Sequence, residues 1–199
     1  GPPFRAGVAV FDVLTGLHAA LAVGAALRHR ERTGQGQLLE TNLLSVAMST
    51  LVNQTEAYVA AGAVGRRMGN AHPSVFPYQP MPTADGDLIV IAGNDGQFRK
   101  LATVLGDPAM AEDPRFATMS DRIGHREEIE QRLRARLATR TAQEWYDAIT
   151  AAGVPCGPIN TVDGGVALAE ELGLDPVVRA ADVAAVPTVP HPVTWSATP

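Results

Sequence analysis

The first third of the chain is built mainly from small and apolar residues. Residues 1–11 are punctuated by Pro and Gly and then become apolar, while residues 15–30 are rich in Ala and Leu and end in a basic turn, which is typical of a helix. Residues 45–63 carry mostly good helix formers and predict a second long helix. Residues 37–43, between them, fit either a short strand or the start of that second helix.

The middle of the chain changes in composition and then alternates apolar runs with turn signals. Residues 66–82 are rich in Gly, Asn, His, Pro and aromatic residues, so we interpret them as a loop leading into an extended segment and as a domain boundary. The β-branched run 87–92 follows Ala-Asp-Gly and predicts a buried strand. Asn94 or Asp95 can cap the next helix. The apolar positions of that helix share one face: Phe98, Leu101 and Leu105.

The last part of the chain predicts further helices and one more strand. Residues 121–140 form a charged amphipathic pattern, and residues 141–144 have the capping-box sequence that opens another helix. We expect a strand over 154–159, a short helix over 162–172 and irregular extended structure from residue 177 onward. The chain therefore predicts an α/β module attached to two long helices.

Composition narrows the range of partners. The chain has 199 residues, 46% of them hydrophobic, with a mean hydropathy of +0.02. It has 16 Lys plus Arg against 21 Asp plus Glu, a formal net charge of −5, which argues against a nucleic-acid partner because such a surface needs clustered cations. The single cysteine, Cys156, cannot form an internal disulfide, which fits a reducing compartment, and we expect a cytoplasmic protein.

We also expect no membrane span, because Arg28, His29 and Arg30 close the longest apolar run before it reaches the roughly 20 residues that a bilayer requires. The chain begins with Gly1 rather than Met and lacks the features of a signal peptide. We therefore expect its start to be internal to a longer gene product whose N-terminal part precedes it.

Asp12 is the carboxylate with the clearest chemical potential. It lies in the apolar segment Ala-Val-Phe-Asp-Val-Leu-Thr-Gly, just ahead of the first predicted helix. One interpretation is a helix N-cap, a common role for Asp. The other is a nucleophile, since a carboxylate held ionised at a helix N-terminus can attack a thioester carbonyl.

Other motifs give weaker signals. Residues 69–73, Gly-Asn-Ala-His-Pro, form a loop of small residues in which His72 is either a hydrogen-bonding residue or a general acid or base. Residues 93–97 weakly resemble a phosphate-binding loop, but Asp95 favours a turn and helix cap instead. Cys156 is expected to be a small buried residue, and no cluster has metal-ligand spacing.

Several segments together resemble the family III CoA-transferases of the carnitine dehydratase and bile-acid-inducible type. They occur in the family's order along nearly the whole chain: residues 11–37, 66–79, 84–101, 112–116, 141–160 and 195–199. The resemblance implies that Asp12 accepts an acyl group from a CoA thioester, giving a mixed anhydride and then an aspartyl-CoA thioester. It also implies that Gly69 and Asn70 belong to the loop that shields these intermediates.

The resemblance implies an α/β fold with a Rossmann-like large domain, connecting helices and a smaller α/β domain. On that basis residues 1–50 form the C-terminal part of the large domain, and residues 51–72 form a connecting helix and loop. Residues 73–176 form the small α/β domain, and residues 177–199 form a linker that returns to the large domain. Coenzyme A is then a substrate, with no tightly bound cofactor and no metal. The partners are an acyl-CoA, a carboxylic acid and, for the full-length protein, a second copy in an interlocked homodimer. The isolated chain is expected to be inactive.

Two alternatives remain open. The superfamily also contains α-methylacyl-CoA racemases, which resemble this chain but place their Asp one residue earlier, where Phe11 stands here; this favours transfer. The other alternative is a non-catalytic assembly module made of the helices and the small domain.

Overall fold

The computed structural model describes residues 5–178 and 186–197. The chain divides into two compact units, Gly1–Gly69 and Asn70–Pro199, described separately below. The mixed helix-and-sheet class predicted from the sequence is confirmed. The predicted domain limits at residues 50, 72 and 176 stay predictions.

The described part of the first unit is helical. It contains α1 (Val10–Thr33), α2 (Leu43–Thr50) and α3 (Asn53–Ala61). α1 starts five residues earlier than the apolar pattern predicted. Its C-cap is Gly34, whose φ of 73° lies in the left-handed region that favours glycine. Its partner within the unit is α2, which packs against it. Residues 35–42 are irregular, so the strand considered there is wrong.

No residue of α1 is fully buried: Leu14, Thr15, Ala19, Ala22 and Ala26 are half-buried, and the rest of the helix is exposed. An 18-residue window of α1 has a mean hydropathy of 1.7, which makes the helix long and apolar enough to cross a membrane by length and composition. The expectation that no apolar stretch reaches that length is therefore wrong. Core helices of soluble proteins have the same composition, so this property alone does not assign a membrane segment.

The second predicted helix is broken into α2 and α3 at Leu51 and Val52. Val52 has φ 44° and ψ −107°, a backbone conformation that a β-branched residue rarely adopts. The N-cap of α2 is Asn42, whose side chain accepts a hydrogen bond from the Ser45 backbone N–H at 2.9 Å.

The second unit holds a small antiparallel sheet and the helices that cover it. Its elements are β1 (Tyr78–Pro82), β2 (Asp87–Ile91), α4 (Asp95–Val104), α5 (Pro108–Glu112), a 3₁₀ turn (Pro114–Phe116), α6 (Met119–Gly124), α7 (Arg126–Leu137), α8 (Ala142–Ala151), β3 (Cys156–Pro158) and α9 (Val162–Glu171). The strand order is β1-β2-β3, with Met81 opposite Leu88 and Val90 opposite Cys156.

One face of this sheet is buried beneath the helices, because alternate strand residues point to the same side. The predicted face of α4 is confirmed, since Phe98, Leu101 and Leu105 are all buried. Trp145 on α8 is buried as well, and its indole N–H donates to the Leu137 carbonyl at 2.8 Å. This core positions the loop before β1.

The helix start predicted from a clear capping signal is confirmed, whereas the single helix predicted over residues 121–140 is not observed. The capping box of Thr141 and Glu144 opens α8 as predicted. The single helix expected over 121–140 is instead split into α6 and α7 at His125. Beyond α9, Val178 and Thr188 pair through reciprocal 2.9 Å backbone hydrogen bonds.

Candidate functional site

Asp12 lies in the first turn of α1, as its third residue. The N-cap is Ala9, so the interpretation of Asp12 as the N-cap is wrong, and no side chain caps this helix. The first turn places the carboxylate beside backbone N–H groups that no carbonyl of the helix accepts. Within the described residues it accepts no hydrogen bond and forms no ion pair, and the residue is exposed. The carboxylate is therefore accessible from solvent.

The helix surface beside Asp12 is formed by small residues. Thr15 and Gly16 follow it by three and four positions, which places them on the same face. The Thr15 hydroxyl donates to the Phe11 carbonyl at 2.6 Å. A Cβ built on Gly16 would meet no heavy atom within 4 Å. This face of α1 thus leaves space next to the carboxylate.

Gly69 and Asn70 form a turn where the two units meet in sequence. Gly69 has φ 60°, so any side chain at this position would strain the backbone. Both residues are exposed. Their predicted role in shielding an intermediate is consistent with a reachable backbone, but it stays a prediction, as does the role of Asp12.

His72, three residues after Gly69, is held from several sides. Its backbone N–H donates to the Tyr78 carbonyl at 2.9 Å, and its ring stacks on that of Tyr78 with centroids 5.1 Å apart and planes 5° apart. Its carbonyl accepts a hydrogen bond from Nη2 of Arg126 at 2.9 Å. The loop after Gly69 is therefore fixed to β1 and to α7.

The residue that holds the other end of this loop was not predicted from the sequence. Arg122 on α6 is fully buried, and its Nε donates to the Phe76 carbonyl at 3.2 Å. It also donates to the Phe116 carbonyl at 3.1 Å, forms an ion pair with Asp95 at 2.8 Å and lies over the Phe98 ring. A basic residue inside an amphipathic helix pattern normally predicts a solvated face, so only the fold reveals this role.

Residues 93–97 form a turn and helix cap rather than a phosphate loop. The Asn94 side chain accepts from the Gln97 backbone N–H at 2.9 Å, and the Gln97 side chain accepts from the Gly93 N–H at 2.8 Å. Asp95 is used in the ion pair with Arg122. These donors and acceptors satisfy one another.

Cys156 is half-buried on β3, and burial raises the pKa of its thiol. A thiol with a raised pKa is a poor nucleophile at neutral pH, in agreement with the expected packing role. Across residues 5–178 and 186–197, no group of three or more His, Cys, Asp or Glu side chains could hold a metal ion.

Comparison with known proteins gives a consistent result. A family model described as CoA-transferase family III matches residues 1–199. A succinate–glutarate CoA-transferase of Agrobacterium fabrum is 40% identical over all of this chain and half of its own length. A succinyl-CoA:glutarate CoA-transferase of Mus musculus is 37% identical over 81% of this chain and 37% of its own length.

Solved structures agree. A CAIB/BAIF family protein from Brucella suis is 37% identical with a TM-score of 0.77, covering 98% of this chain and 51% of that one. A hypothetical protein from Mycobacterium tuberculosis is 25% identical with a TM-score of 0.84, covering 99% and 51%. The chain thus spans about half the length of the relatives it matches.

Proposed function

Because the chain belongs to CoA-transferase family III, we propose that the full-length protein transfers coenzyme A between an acyl-CoA thioester and a carboxylic acid, with Asp12 as its nucleophile. The observation that carries the proposal is the Asp12 carboxylate itself. It lies at the start of α1, exposed and without an ion pair in the described residues, next to the open surface at Gly16.

The covalent steps involve this carboxylate and the two substrates. An Asp12 oxygen attacks the thioester carbonyl of the donor, which gives a mixed anhydride and releases CoA as a thiolate. The thiolate then attacks the Asp12 carbonyl carbon, releasing the donor acid as a carboxylate and leaving an aspartyl-CoA thioester. The acceptor carboxylate repeats both steps in reverse order, which forms the new acyl-CoA and restores the Asp12 carboxylate.

Backbone N–H groups supply the second requirement of this chemistry, a partner for the developing oxyanion. The first turn of a helix presents N–H groups that no carbonyl of the helix accepts, and α1 has no side-chain cap to occupy them. We assign Gly69 and Asn70 to the loop that shields the intermediates from water. Water exclusion matters because both the anhydride and the thioester hydrolyse.

We propose short dicarboxylic acids as substrates, since relatives from Agrobacterium fabrum and Mus musculus are named for succinate and glutarate. Coenzyme A is a substrate, and the reaction requires no tightly bound cofactor. We also propose that the full-length protein is a homodimer, which the exposed apolar side chains of α1 support. A cytoplasmic location remains part of the proposal.

Steady-state exchange between succinyl-CoA and glutarate by the purified full-length protein tests the proposal. Asp12→Asn should lower kcat by roughly a thousandfold or more, because a nucleophile and its covalent intermediates are lost together. Asp163→Asn is the matched control, an acidic residue in the first turn of α9, and should leave kcat within about twofold. An Asp12→Asn protein that retains a tenth of the activity would exclude Asp12 as nucleophile. Solvent deuterium incorporated at the α-carbon would indicate racemisation instead.

A further inference from the structure

The tautomer of His72 is determined by a backbone hydrogen bond. The Ser74 backbone N–H donates to Nδ1 of His72 at 3.2 Å. Only an unprotonated ring nitrogen can accept a hydrogen bond, so Nδ1 carries the lone pair. The neutral His72 ring therefore carries its proton on Nε2 and presents an N–H donor there.

Two other histidines show the opposite arrangement. Nδ1 of His18 lies 2.8 Å from the Leu14 carbonyl oxygen, and Nδ1 of His125 lies 2.9 Å from that of Asp121. A carbonyl oxygen accepts but does not donate, so these contacts need the proton on Nδ1. The tautomer of each histidine thus follows from its local backbone, and His191 accepts from the Val193 backbone N–H at 3.2 Å in the same way as His72.

The orientation of this donor is fixed before any ligand binds. The Tyr78 ring stacks on the His72 ring, and the Tyr78 carbonyl accepts a hydrogen bond from the His72 backbone N–H. Arg126 donates a hydrogen bond to the His72 carbonyl. Arg126 also lies over the Phe76 ring at 4.7 Å, which connects the loop to α7. A ring that is already ordered loses little conformational entropy when it binds a ligand.

The donor is also available. His72 is half-buried, and no hydrogen bond within the described residues involves its Nε2. An N–H donor without a protein partner can bind a ligand that only accepts hydrogen bonds, and an ionised carboxylate is such a ligand. Hydrogen bonds to an ionised acceptor are stronger than those between neutral groups.

We propose that the Nε2–H of His72 donates a hydrogen bond to a carboxylate oxygen of the acid that accepts coenzyme A, and that Arg126 is the positioning residue for His72. The assignment rests on the proposed function and adds to it a residue that selects the acceptor acid. A phosphate of coenzyme A offers the same acceptor chemistry, and the kinetic test separates the two.

The test compares His72→Phe, which keeps a flat ring for stacking on Tyr78 but has no donor, with His72→Gln, which restores an N–H donor. The control is His125→Phe, which changes a surface histidine packed edge-on against Phe116. In the full-length enzyme with succinyl-CoA and glutarate, His72→Phe should raise KM for glutarate by about 10- to 100-fold and leave KM for succinyl-CoA within about twofold. His72→Gln should recover most of the loss, and His125→Phe should match the wild type.

Two results would overturn the assignment. Equal losses in His72→Phe and His72→Gln would show that the ring shape matters and the donor does not. A rise confined to KM for succinyl-CoA would place the donor on coenzyme A rather than on the acid.

The role of Arg126 is tested by a double-mutant cycle. Arg126→Met should raise KM for glutarate alone, and in combination with His72→Phe it should add little, because both changes remove the same oriented donor. Independent, additive effects would contradict a positioning role. Hydroxylamine trapping of the acyl group from succinyl-CoA, without glutarate, should remain intact in His72→Phe. If the wild type also traps nothing, the proposed function fails rather than the role of His72.

Discussion

Arg122 is a charged side chain with no exposed surface, and its environment explains why it is retained. Its guanidinium donates hydrogen bonds to backbone carbonyls and forms an ion pair with Asp95, whose side chain is 43% exposed. An arginine stays charged at any physiological pH, and only a full set of partners makes its burial tolerable. The residue connects the start of β1 with the 3₁₀ turn and α4.

Arg122→Met should therefore lower the free energy of unfolding by about 3 kcal/mol, because it leaves the buried Phe76 and Phe116 carbonyls without their donor. Urea denaturation followed by circular dichroism measures the change. Arg115→Gln is the control, because Arg115 forms its ion pairs with Asp113 and Glu128 at the surface, and it should have a much smaller effect. Similar stabilities for Arg122→Met and the wild type would show that the buried network contributes nothing.

At this scale the sequence singled out Asp12 as a candidate but did not predict its place in the helix. Whether Asp12 lies before the helix or in its first turn depends on where the backbone begins to form i to i+4 hydrogen bonds, and apolar residues at Val10 and Phe11 give no capping signal. Arg122 was not predicted, because burial of a charge is decided by distant carbonyls. Local pattern does not contain that information.

At the scale of elements, helix starts were predictable wherever a polar cap was present. Thr141 and Glu144 accept hydrogen bonds from each other's backbone N–H groups, at 3.2 and 2.9 Å. The breaks inside the two predicted long helices were not predictable. They fall at Val52, which has no Gly or Pro beside it, and at His125, where Gly124 ends α6 but a single Gly inside a helical pattern is a weak signal.

The α8 cap makes a pH-dependent contribution to stability. The backbone N–H and hydroxyl of Thr141 donate to the Glu144 carboxylate and lower its pKa in the folded protein. A lowered folded-state pKa means that the contribution is complete above the ordinary pKa of glutamate and is lost as the pH falls through the lowered value. The difference in unfolding free energy between wild type and Glu144→Gln should thus be largest near neutral pH and shrink in acid. A difference that does not change with pH would exclude this charge effect. In the same assay Thr141→Ala should lower the free energy of unfolding by about 1 kcal/mol, because it removes the cap.

Val52 offers a second test at this scale. Its φ of 44° and ψ of −107° mirror a region open to L residues, and glycine alone adopts both regions readily. Val52 is 68% exposed, so its replacement removes little packing. Val52→Gly should raise the free energy of unfolding of the full-length protein by about 1 kcal/mol, as measured by urea denaturation. Val59→Gly, inside the regular helix α3 and 72% exposed, is the matched control and should destabilise it.

At the scale of the whole molecule, the two units differ in how much they bury. The hydrophobic core of the described residues lies between Phe76 and Val154, entirely in the second unit. In the first unit Val46 is buried, whereas α1 exposes apolar side chains along its length: Val10, Phe11, Val13, Leu17, Leu21, Val23 and Leu27. Apolar area of this extent is normally covered by another part of a protein.

Residues 70–199 produced alone should therefore fold, with Trp145 as a buried probe, and residues 1–69 should not. Urea unfolding of the 70–199 fragment carrying Trp195→Phe, followed by Trp145 fluorescence, should show one cooperative transition. A gradual change without a transition would mean that the second unit depends on the first. The 199-residue chain by itself should show no exchange activity, and full activity from it would contradict our proposal that the rest of the protein completes the enzyme.

The most direct test of the central claim is mass spectrometry of the full-length protein after incubation with succinyl-CoA and quenching in hydroxylamine. A mixed anhydride or thioester on Asp12 reacts with hydroxylamine to give a hydroxamate on the peptide that contains this residue. We predict that modification in the wild type and its absence in Asp12→Asn. An unmodified Asp12 peptide in an enzyme that still exchanges coenzyme A would contradict covalent catalysis by this residue.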